Sequence, residues 1–222
     1  MSEITHVCFD IGGVANVRMP REQVISRGKE YFGEDFSEGK LKQMIFPTIS
    51  GIDVWREFQN GMIPAQRYLE FALSAGEFHP NKDNRIFFQS LLEEWCGVAY
   101  QPILGLVDGL KKHGYHTSIL SNNNEIMYNT PSADAIKKRV DVAISSHQIF
   151  VSKPHWDAFC VLLDKIKPET PKEVVFIDDR EENIKAANSY GLQGSHFRSK
   201  QLGMDQAFEE LLKSLKEKGV RI

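Results

Sequence analysis

The chain has 222 residues, of which 41% are hydrophobic and 26% are charged, and its formal net charge is −3. This length suffices for one large domain or for a domain with an inserted segment, and the lack of a basic excess argues against nucleic acid as a partner. No stretch approaches the roughly 18 apolar residues of a membrane span and no leader-like pattern opens the chain, so we expect a cytoplasmic protein that does not associate with membranes.

The first predicted element is a short buried strand that ends in a carboxylate. The apolar run 7–9 is followed directly by Asp10, and Gly12 and Gly13 stand just beyond it. In open α/β sheets, ligands bind outside the carboxyl ends of the strands, and glycine lets the backbone approach a ligand or metal closely. The stretch therefore predicts a ligand site, although a plain strand-to-turn junction fits the same residues.

The segment 17–98 differs from the rest because its apolar residues recur at intervals of three and four, which is typical of helices. Pro64 suits the first position of one such helix. Because the segment leaves the chain just after the first strand, we interpret it as an inserted all-helical cap over the site. Trp55, Arg56 and Phe58 are candidates to face the site, and the two aromatics fit the cap's own core equally well.

From residue 99 onward, predicted helices and strands alternate. The helices are predicted over 102–113, 154–166, 183–190 and 205–218, and the strands over 115–120, 140–144, 174–177 and 195–197. Such alternation predicts a parallel sheet with helices on both faces. The predicted architecture is therefore an α/β, Rossmann-like core formed by residues 1–16 and 99–222, with the cap, residues 17–98, inserted into it.

Polar side chains stand at the ends of several predicted elements. These residues are Asp10, Ser121, Asn122, Lys153, Asp178 and Asp179. Carboxylates at two strand ends are the oxygen ligands that Mg²⁺ prefers. A hydroxyl, backbone amides and a lysine suit the oxygens of a phosphate group. The constellation predicts a phosphate site with a metal.

The same stretches resemble the sequence motifs of the haloacid dehalogenase (HAD) superfamily, in the family's order. Asp10 lies in FDIGGV, Ser121 in ILSNNN, Lys153 in VSKPHWDAF, and Asp178 and Asp179 in VVFIDDREEN. On these motifs the chain is identified as a member of that superfamily with a helical cap of the first type. The stretch DVWREFQNGMIP and the paired glycines are most similar to a subgroup that includes sugar-phosphate phosphatases and the phosphatase domain of soluble epoxide hydrolase.

The resemblance implies that Asp10 is a nucleophile that forms an aspartyl-phosphate, a role that carboxylates fill in other enzymes. It also implies that Mg²⁺ is the cofactor. Its ligands would be Asp10, the backbone carbonyl of Gly12 and Asp179, with Asp178 as a further partner. Asn183 matches a supporting position of the fourth motif.

The resemblance further implies a phosphate-binding set. Ser121 and the backbone amide of Asn122 would hold the phosphoryl group, and Gly12 and Gly13 would let the backbone approach it. Lys153 would offset the negative charge of the nucleophile and the phosphate, and the partner would be a small phosphorylated substrate. Phosphoryl transfer depends mainly on such positioning and charge stabilisation. A polar turn, a solvated lysine and a helix cap are the plainer explanations of these residues.

One position departs from the family's pattern. Most HAD phosphatases carry a second Asp two residues after the nucleophile, as the general acid, whereas this chain has Gly12. General acid and base catalysis contributes about 10² to 10⁴ in rate, so the absence of this group matters unless another replaces it. The candidates in the cap are Glu22, Asp53 and Glu57.

Three functions are compatible with these residues. The first is a Mg²⁺-dependent phosphatase for a small phosphorylated metabolite. The second is a weakly active or inactive protein that binds a phosphorylated ligand or a protein partner. The third is dehalogenation or phosphonate cleavage, and the latter would need a cap lysine such as Lys29, Lys40 or Lys42 to form an imine.

Overall fold

A five-stranded parallel sheet forms the centre of the structure, a computed structural model that describes residues 3–222. The strands are β1 (His6–Phe9), β2 (Asn16–Val17), β3 (Thr48–Ile49), β4 (Ile52–Asp53), β5 (Val98–Ala99), β6 (His116–Ser121), β7 (Val142–Ser145), β8 (Val174–Asp178) and β9 (Gln193–His196). The central sheet has the order β7-β6-β1-β8-β9, and every neighbouring pair is parallel. Since β1 is the middle strand, Asp10 stands at the centre of the sheet's carboxyl edge.

Helices surround this sheet and form most of the inserted segment. They are α1 (Arg21–Phe32), α2 (Glu38–Ile45), α3 (Val54–Gln59), α4 (Ala65–Ala75), α5 (Lys82–Trp95), α6 (Gln101–Lys112), α7 (Glu125–Tyr128), α8 (Pro131–Lys137), α9 (Ser146–Ile149), α10 (Trp156–Ile166), α11 (Glu181–Ser189), α12 (Ser199–Leu202) and α13 (Met204–Glu217). No helix within residues 3–222 has the length and apolar character needed to cross a bilayer.

Both faces of the sheet are covered, because successive strand residues point to opposite sides. Val7 and Phe9 of β1 belong to a cluster with buried residues of α6 and α13, whereas Cys8 belongs to a cluster with buried residues of α10 and α11. The predicted α/β fold, with a parallel sheet and helices on both faces, is confirmed.

The inserted segment has its own apolar core, in which Phe58 stacks on Tyr68 with ring centroids 4.3 Å apart. The prediction of an all-helical cap is incomplete, because β3 and β4 form a hairpin. Its turn residues Ser50 and Gly51 both have positive φ, as a two-residue turn of type I′ requires. Two-residue strands carry no alternating pattern, which explains why the prediction missed them. Pro64 caps α4 and does not lie inside its first turn.

The chain leaves the core and returns to it through a narrow ribbon. β2 and β5 pair antiparallel, with Asn16 opposite Ala99. The Asn16 side chain accepts a hydrogen bond from Gly13 N (2.9 Å) and donates one to Cys96 O (2.9 Å). The predicted boundaries at 16/17 and 98/99 fall in this ribbon. The division into core and cap remains a prediction, and residues 1 and 2 of the predicted core lie outside the described residues.

Candidate active site

A buried lysine joins the ends of three adjacent strands. Lys153 Nζ donates hydrogen bonds to Asp10 Oδ1 (2.9 Å), Asp178 Oδ2 (2.6 Å) and Leu120 O (2.5 Å). Asp10 follows β1, Leu120 lies near the end of β6, and Asp178 ends β8. Because parallel strands end at the same edge of a sheet, motifs far apart in the chain meet here.

Charge balance holds this group together. Burial raises the pKa of Asp10 and the neighbouring charge of Asp178 adds to that effect, so the pKa stays above its ordinary value although Lys153 and Ser121 lower it. Burial alone would lower the pKa of Lys153, but Asp10 and Asp178 more than offset this and raise it. Lys153 therefore stays protonated at neutral pH. A buried ion cluster of this kind depends on every partner, since removal of one leaves uncompensated charge.

Asp178 is held in place by the start of the last motif. Its Oδ1 accepts hydrogen bonds from Arg180 N (2.9 Å) and from Asn183 Nδ2 (3.0 Å). Asp178 thus holds the turn before α11 and contacts Lys153 as well. The plain capping explanation does not hold, because the N-cap of α11 is Arg180 and no side chain caps the helix there. Asn183 is buried and supports the carboxylate directly, which matches the supporting position that the resemblance implies.

Asp10, Asp178 and Asp179 form a buried carboxylate cluster that could hold a divalent cation. They offer oxygen atoms that all lie within 4.8 Å of one another, and hard cations such as Mg²⁺ prefer oxygen ligands. Gly13 has a positive φ of 76°, and a Cβ there would lie 2.9 Å from Asp179 Oδ2. Lys200 Nζ lies 2.8 Å from that same oxygen, so Asp179 forms an ion pair with a lysine at this edge of the cluster.

Asn122 has a second use that the sequence did not indicate. Its side chain donates to Lys153 O (2.7 Å) and accepts from Lys153 N (2.8 Å), although the two residues are 31 positions apart. These reciprocal hydrogen bonds fix the backbone that carries the lysine. Ser121 is buried at the end of β6 beside the cluster. The sequence does not indicate these hydrogen bonds, because the side chain of any Asn can bond to a backbone that lies close to it.

A cavity of about 290 Å³ lies above the cluster, between the sheet edge and the inserted segment. Its lining includes Ile11, Gly12, Ser121, Asn122 and Asp179 from the core, and Phe46, Trp55, Gln59 and Trp95 from the cap. Of the candidate cap residues, Trp55 lines this cavity, Arg56 lines a neighbouring one, and Phe58 lies in the cap core. Of the three cap residues that the sequence suggested, Trp55 is therefore the one that lines this cavity.

Three basic side chains also line the cavity, and sequence reasoning singled out none of them. They are Arg18, Arg180 and Lys200. They come from separate segments and are exposed, so they carry no periodic signal. Arg180 pairs with Glu182 and Lys200 with Asp179, whereas Arg18 has no carboxylate partner among the described residues. Three cations near one cavity suit an anionic ligand such as a phosphate.

The predicted replacements for the missing acid do not line this cavity. Glu22, Asp53 and Glu57 are absent from its lining, and Asp53 instead caps α3 by accepting from Arg56 N (3.0 Å). Among the described residues that line the cavity, Asp179 is the one carboxylate. The prediction that one of these acids could serve finds no support in this geometry.

Comparison with known proteins agrees with the motifs. A family model described as a haloacid dehalogenase-like hydrolase matches residues 18–191. The chain is 26% identical over 188 residues to acyl-CoA dehydrogenase family member 10 of Mus musculus, an alignment that covers 84% of this chain and 17% of that protein. The chain thus spans a small part of the length of that relative.

Solved structures share the fold. A HAD family enzyme of Bacteroides thetaiotaomicron, in complex with magnesium and inorganic phosphate, has a TM-score of 0.68 and 22% identity, covering 87% of this chain and 93% of that one. The L-2-haloacid dehalogenase of Xanthobacter autotrophicus, with chloropropionic acid covalently bound, has a TM-score of 0.61 and 16% identity, covering 99% and 85%. With the family model matching most of the chain, the protein belongs to the haloacid dehalogenase-like hydrolases.

Proposed function

We propose that this hydrolase is a Mg²⁺-dependent phosphatase that acts on a small phosphorylated metabolite, with Asp10 as nucleophile. The observation that carries the proposal is the buried group in which Lys153 contacts both Asp10 and Asp178, beside Asp179 and below a positively charged cavity. A carboxylate nucleophile next to a fixed cation and a candidate metal site suits phosphoryl transfer, which relies on positioning and charge stabilisation.

Each residue has a proposed task. Asp10 attacks phosphorus through Oδ2, the oxygen that is not bonded to Lys153, and forms an aspartyl-phosphate that water then hydrolyses. Ser121 and the Asn122 backbone amide hold the phosphoryl oxygens, while Lys153 offsets the charge that accumulates. Asp10, Asp179 and the Gly12 carbonyl would bind Mg²⁺, with Asp178 nearby. The bound ion supplies positive charge that neutralises and orients the phosphate.

A second candidate is a protein that binds a phosphorylated ligand with little or no turnover. It is favoured by Gly12 and by the lack, within residues 3–222, of a lining carboxylate other than Asp179. Dehalogenation is less well supported, because release of halide needs no metal and leaves the role of Asp179 unexplained. Lys29 and Lys40 pair with Glu34 and Glu77, which argues against an imine-forming lysine at these positions. Lys42 lines a cavity of about 350 Å³ next to Arg18 and is the candidate that this argument leaves open.

The test is release of phosphate from p-nitrophenyl phosphate with and without Mg²⁺. We expect turnover that requires Mg²⁺ and disappears in Asp10→Asn, while Asp83→Asn, which changes an exposed aspartate of α5, behaves as the wild type. Calorimetric binding of Mg²⁺ and inorganic phosphate by a silent wild-type protein would support the binding protein instead. Turnover that survives in Asp10→Asn would refute the assigned nucleophile.

We also propose a cytoplasmic location, which is supported by Cys8, Cys96 and Cys160 all being free thiols. The slight negative charge of the chain supports a small molecule, and not a nucleic acid, as its partner.

A further inference from the structure

An arginine occupies the space that the missing general acid would take. A Cβ added to Gly12 would lie 2.8 Å from Arg18 Nη2, and 3.7 Å from Asp10 Oδ2. Any side chain at position 12 would therefore meet the guanidinium group beside the nucleophile. The place of a proton donor is thus taken by the end of an arginine side chain, which carries a positive charge.

The Arg18 guanidinium is available to a ligand. Among the described residues, no carboxylate lies within ion-pair distance of it and none of the side-chain hydrogen bonds involves it. The guanidinium lies over the ring of Trp95, whose centroid is 5.6 Å from Cζ. Arg18 directly follows β2, so the ribbon that joins core and cap anchors its backbone. A guanidinium over an aromatic ring without a carboxylate partner keeps its donors free for an anion.

We propose that Arg18 is a catalytic residue that stabilises the departing oxygen as an anion, in place of a general acid. The substrates would then be acyl or aryl phosphates, whose leaving groups are carboxylates or phenolates. Arginine does not lose its proton in proteins, so it can donate hydrogen bonds but cannot protonate a leaving group. The proposal rests on the phosphatase function proposed above and names its substrate class.

The chemistry balances without a proton from the enzyme. An Asp10 oxygen forms a bond to phosphorus while the bond from phosphorus to the leaving oxygen breaks, and the electron pair departs with that oxygen next to Arg18. Water then bonds to phosphorus and the bond to Asp10 breaks, which restores the carboxylate. Both protons of the water leave with the phosphate as H₂PO₄⁻. For an acyl phosphate dianion, the products are one carboxylate and one H₂PO₄⁻.

The acidity of the leaving group decides which substrates can react this way. Carboxylic acids have a pKa of about 4 and phenols of about 10, so their anions form readily near neutral pH. An alcohol, with a pKa close to the roughly 16 of water, would leave as a strongly basic alkoxide that one guanidinium cannot compensate. Sugar and alkyl phosphates are therefore poor substrates on this account.

A second, mostly apolar cavity next to Arg18 offers space for the organic part of such a substrate. This cavity of about 350 Å³ shares Arg18, Phe46 and Trp95 with the first. The rest of its lining consists of Val24, Leu41, Ile45, Lys42 and the ion-paired Arg21 and Glu38. A mostly apolar or aromatic acyl or aryl group fits this lining better than a polyhydroxylated sugar does.

The experiment measures kcat/KM with Mg²⁺ for aryl phosphates of graded phenol pKa and for acetyl phosphate. In the wild type we expect kcat/KM to fall steeply as the leaving group becomes more basic. Arg18→Met should lower kcat/KM by roughly 10²-fold, the effect of losing one donor to a developing anion, with a larger loss for the more basic phenols. Added guanidinium should restore part of the rate in Arg18→Ala. Arg67→Met, which changes an exposed arginine of α4, should behave as the wild type.

A second variant separates stabilisation of an anion from protonation. Gly12→Asp combined with Arg18→Ala supplies a carboxylic acid and removes the guanidinium charge, so its dependence on leaving-group pKa should be shallower than in the wild type. An equal loss in Arg18→Met for all leaving groups, or no loss, would overturn the proposal while leaving the phosphatase function standing. A wild type that is silent on every phosphate would overturn both.

Discussion

The site cavity lies between a floor, formed by Asp10, Lys153, Asp178 and Asp179 at the sheet edge, and a roof, formed by Phe46, Trp55, Gln59 and Trp95 of the cap. The two are held in place by different interactions. At the floor, the side chain of Lys153 is 1% exposed and bonded to two carboxylates, whereas in the roof Phe46 is 48% exposed and packs edge-on against Trp55. The floor is held by buried ion pairs, and removal of any one partner would leave a buried charge unpaired. The roof is held by apolar contacts between partly exposed side chains, which are packed less tightly than a protein core. On the proposed function, the chemistry lies at the sheet edge and the choice of leaving group on the cap side of the cavity.

The largest change in stability should follow from a substitution in the floor. Lys153→Met leaves Asp10 and Asp178 buried without their cation, so we expect a loss of about 3–5 kcal/mol in the free energy of unfolding, together with loss of activity. Urea unfolding measures the stability. The control is Lys185→Met, which removes an exposed lysine paired with Glu181 and should change stability by less than about 0.5 kcal/mol. Equal stability of the two variants would show that the floor is not a coupled ion cluster.

A smaller effect should come from the metal edge of the floor. Gly13→Ala puts a Cβ 2.9 Å from Asp179 Oδ2 at a positive φ. We expect a loss of about 1–2 kcal/mol in stability from the backbone conformation, and a further weakening of Mg²⁺ binding by roughly 10-fold as Asp179 shifts. Gly114→Ala is a matched control, because Gly114 also has a positive φ but nothing within 4 Å. Calorimetric Mg²⁺ affinities that are equal in the two variants would argue against Asp179 as a ligand.

In the roof, a truncation should affect binding and leave stability almost unchanged. Phe46→Ala should change the free energy of unfolding by no more than about 0.5 kcal/mol, since the side chain is half exposed. We expect KM for an aryl phosphate to rise by about threefold to tenfold with kcat nearly constant, because a lost apolar contact weakens ground and transition states alike. Phe150→Ala removes another exposed phenylalanine that does not line the cavity. A similar rise in KM there would show that the effect is not specific to the roof.

The smallest expected effect lies at the opposite edge of the sheet. Burial lowers the pKa of His6 below its usual 6.5, and the charge of His116, whose ring centroid lies 4.9 Å away, lowers it further. The unfolded chain then binds a proton more readily, so this contribution to stability is complete above about pH 6.5 and is lost as the pH falls below it. His6→Gln should therefore show a smaller decrease in Tm between pH 7 and pH 5 than the wild type. His79→Gln, at an exposed position, should retain the wild-type slope.

The carboxylates of the floor, and Ser121 beside them, could be predicted from the sequence because they adjoin strands. Asp10, Ser121 and Asp178 each follow or end an apolar run, and parallel strands bring such ends to one edge. The hydrogen bonds of Asn122 to Lys153 could not be predicted, because a side-chain amide gives no sign of which backbone it will meet.

The residues of the roof could be predicted from the sequence only in part. Helical periodicity identified the inserted segment but not which of its faces turns toward the sheet, so Trp55 and Phe58 could not be told apart: one lines the cavity and the other lies in the cap core. Arg18 gave no signal either. Its significance depends on the contact with Gly12, which only the three-dimensional structure displays.

The central claim is that Asp10 carries the phosphoryl group during turnover, and the most direct measurement is mass spectrometry of protein quenched in acid while it hydrolyses acetyl phosphate with Mg²⁺. Since no general base of the usual kind follows Asp10, hydrolysis of the aspartyl-phosphate should be slow enough for it to accumulate. We predict a phosphoryl group on the peptide that contains Asp10 in the wild type, and none on that peptide in Asp10→Asn. Consumption of acetyl phosphate with the Asp10 peptide unmodified throughout would contradict the account.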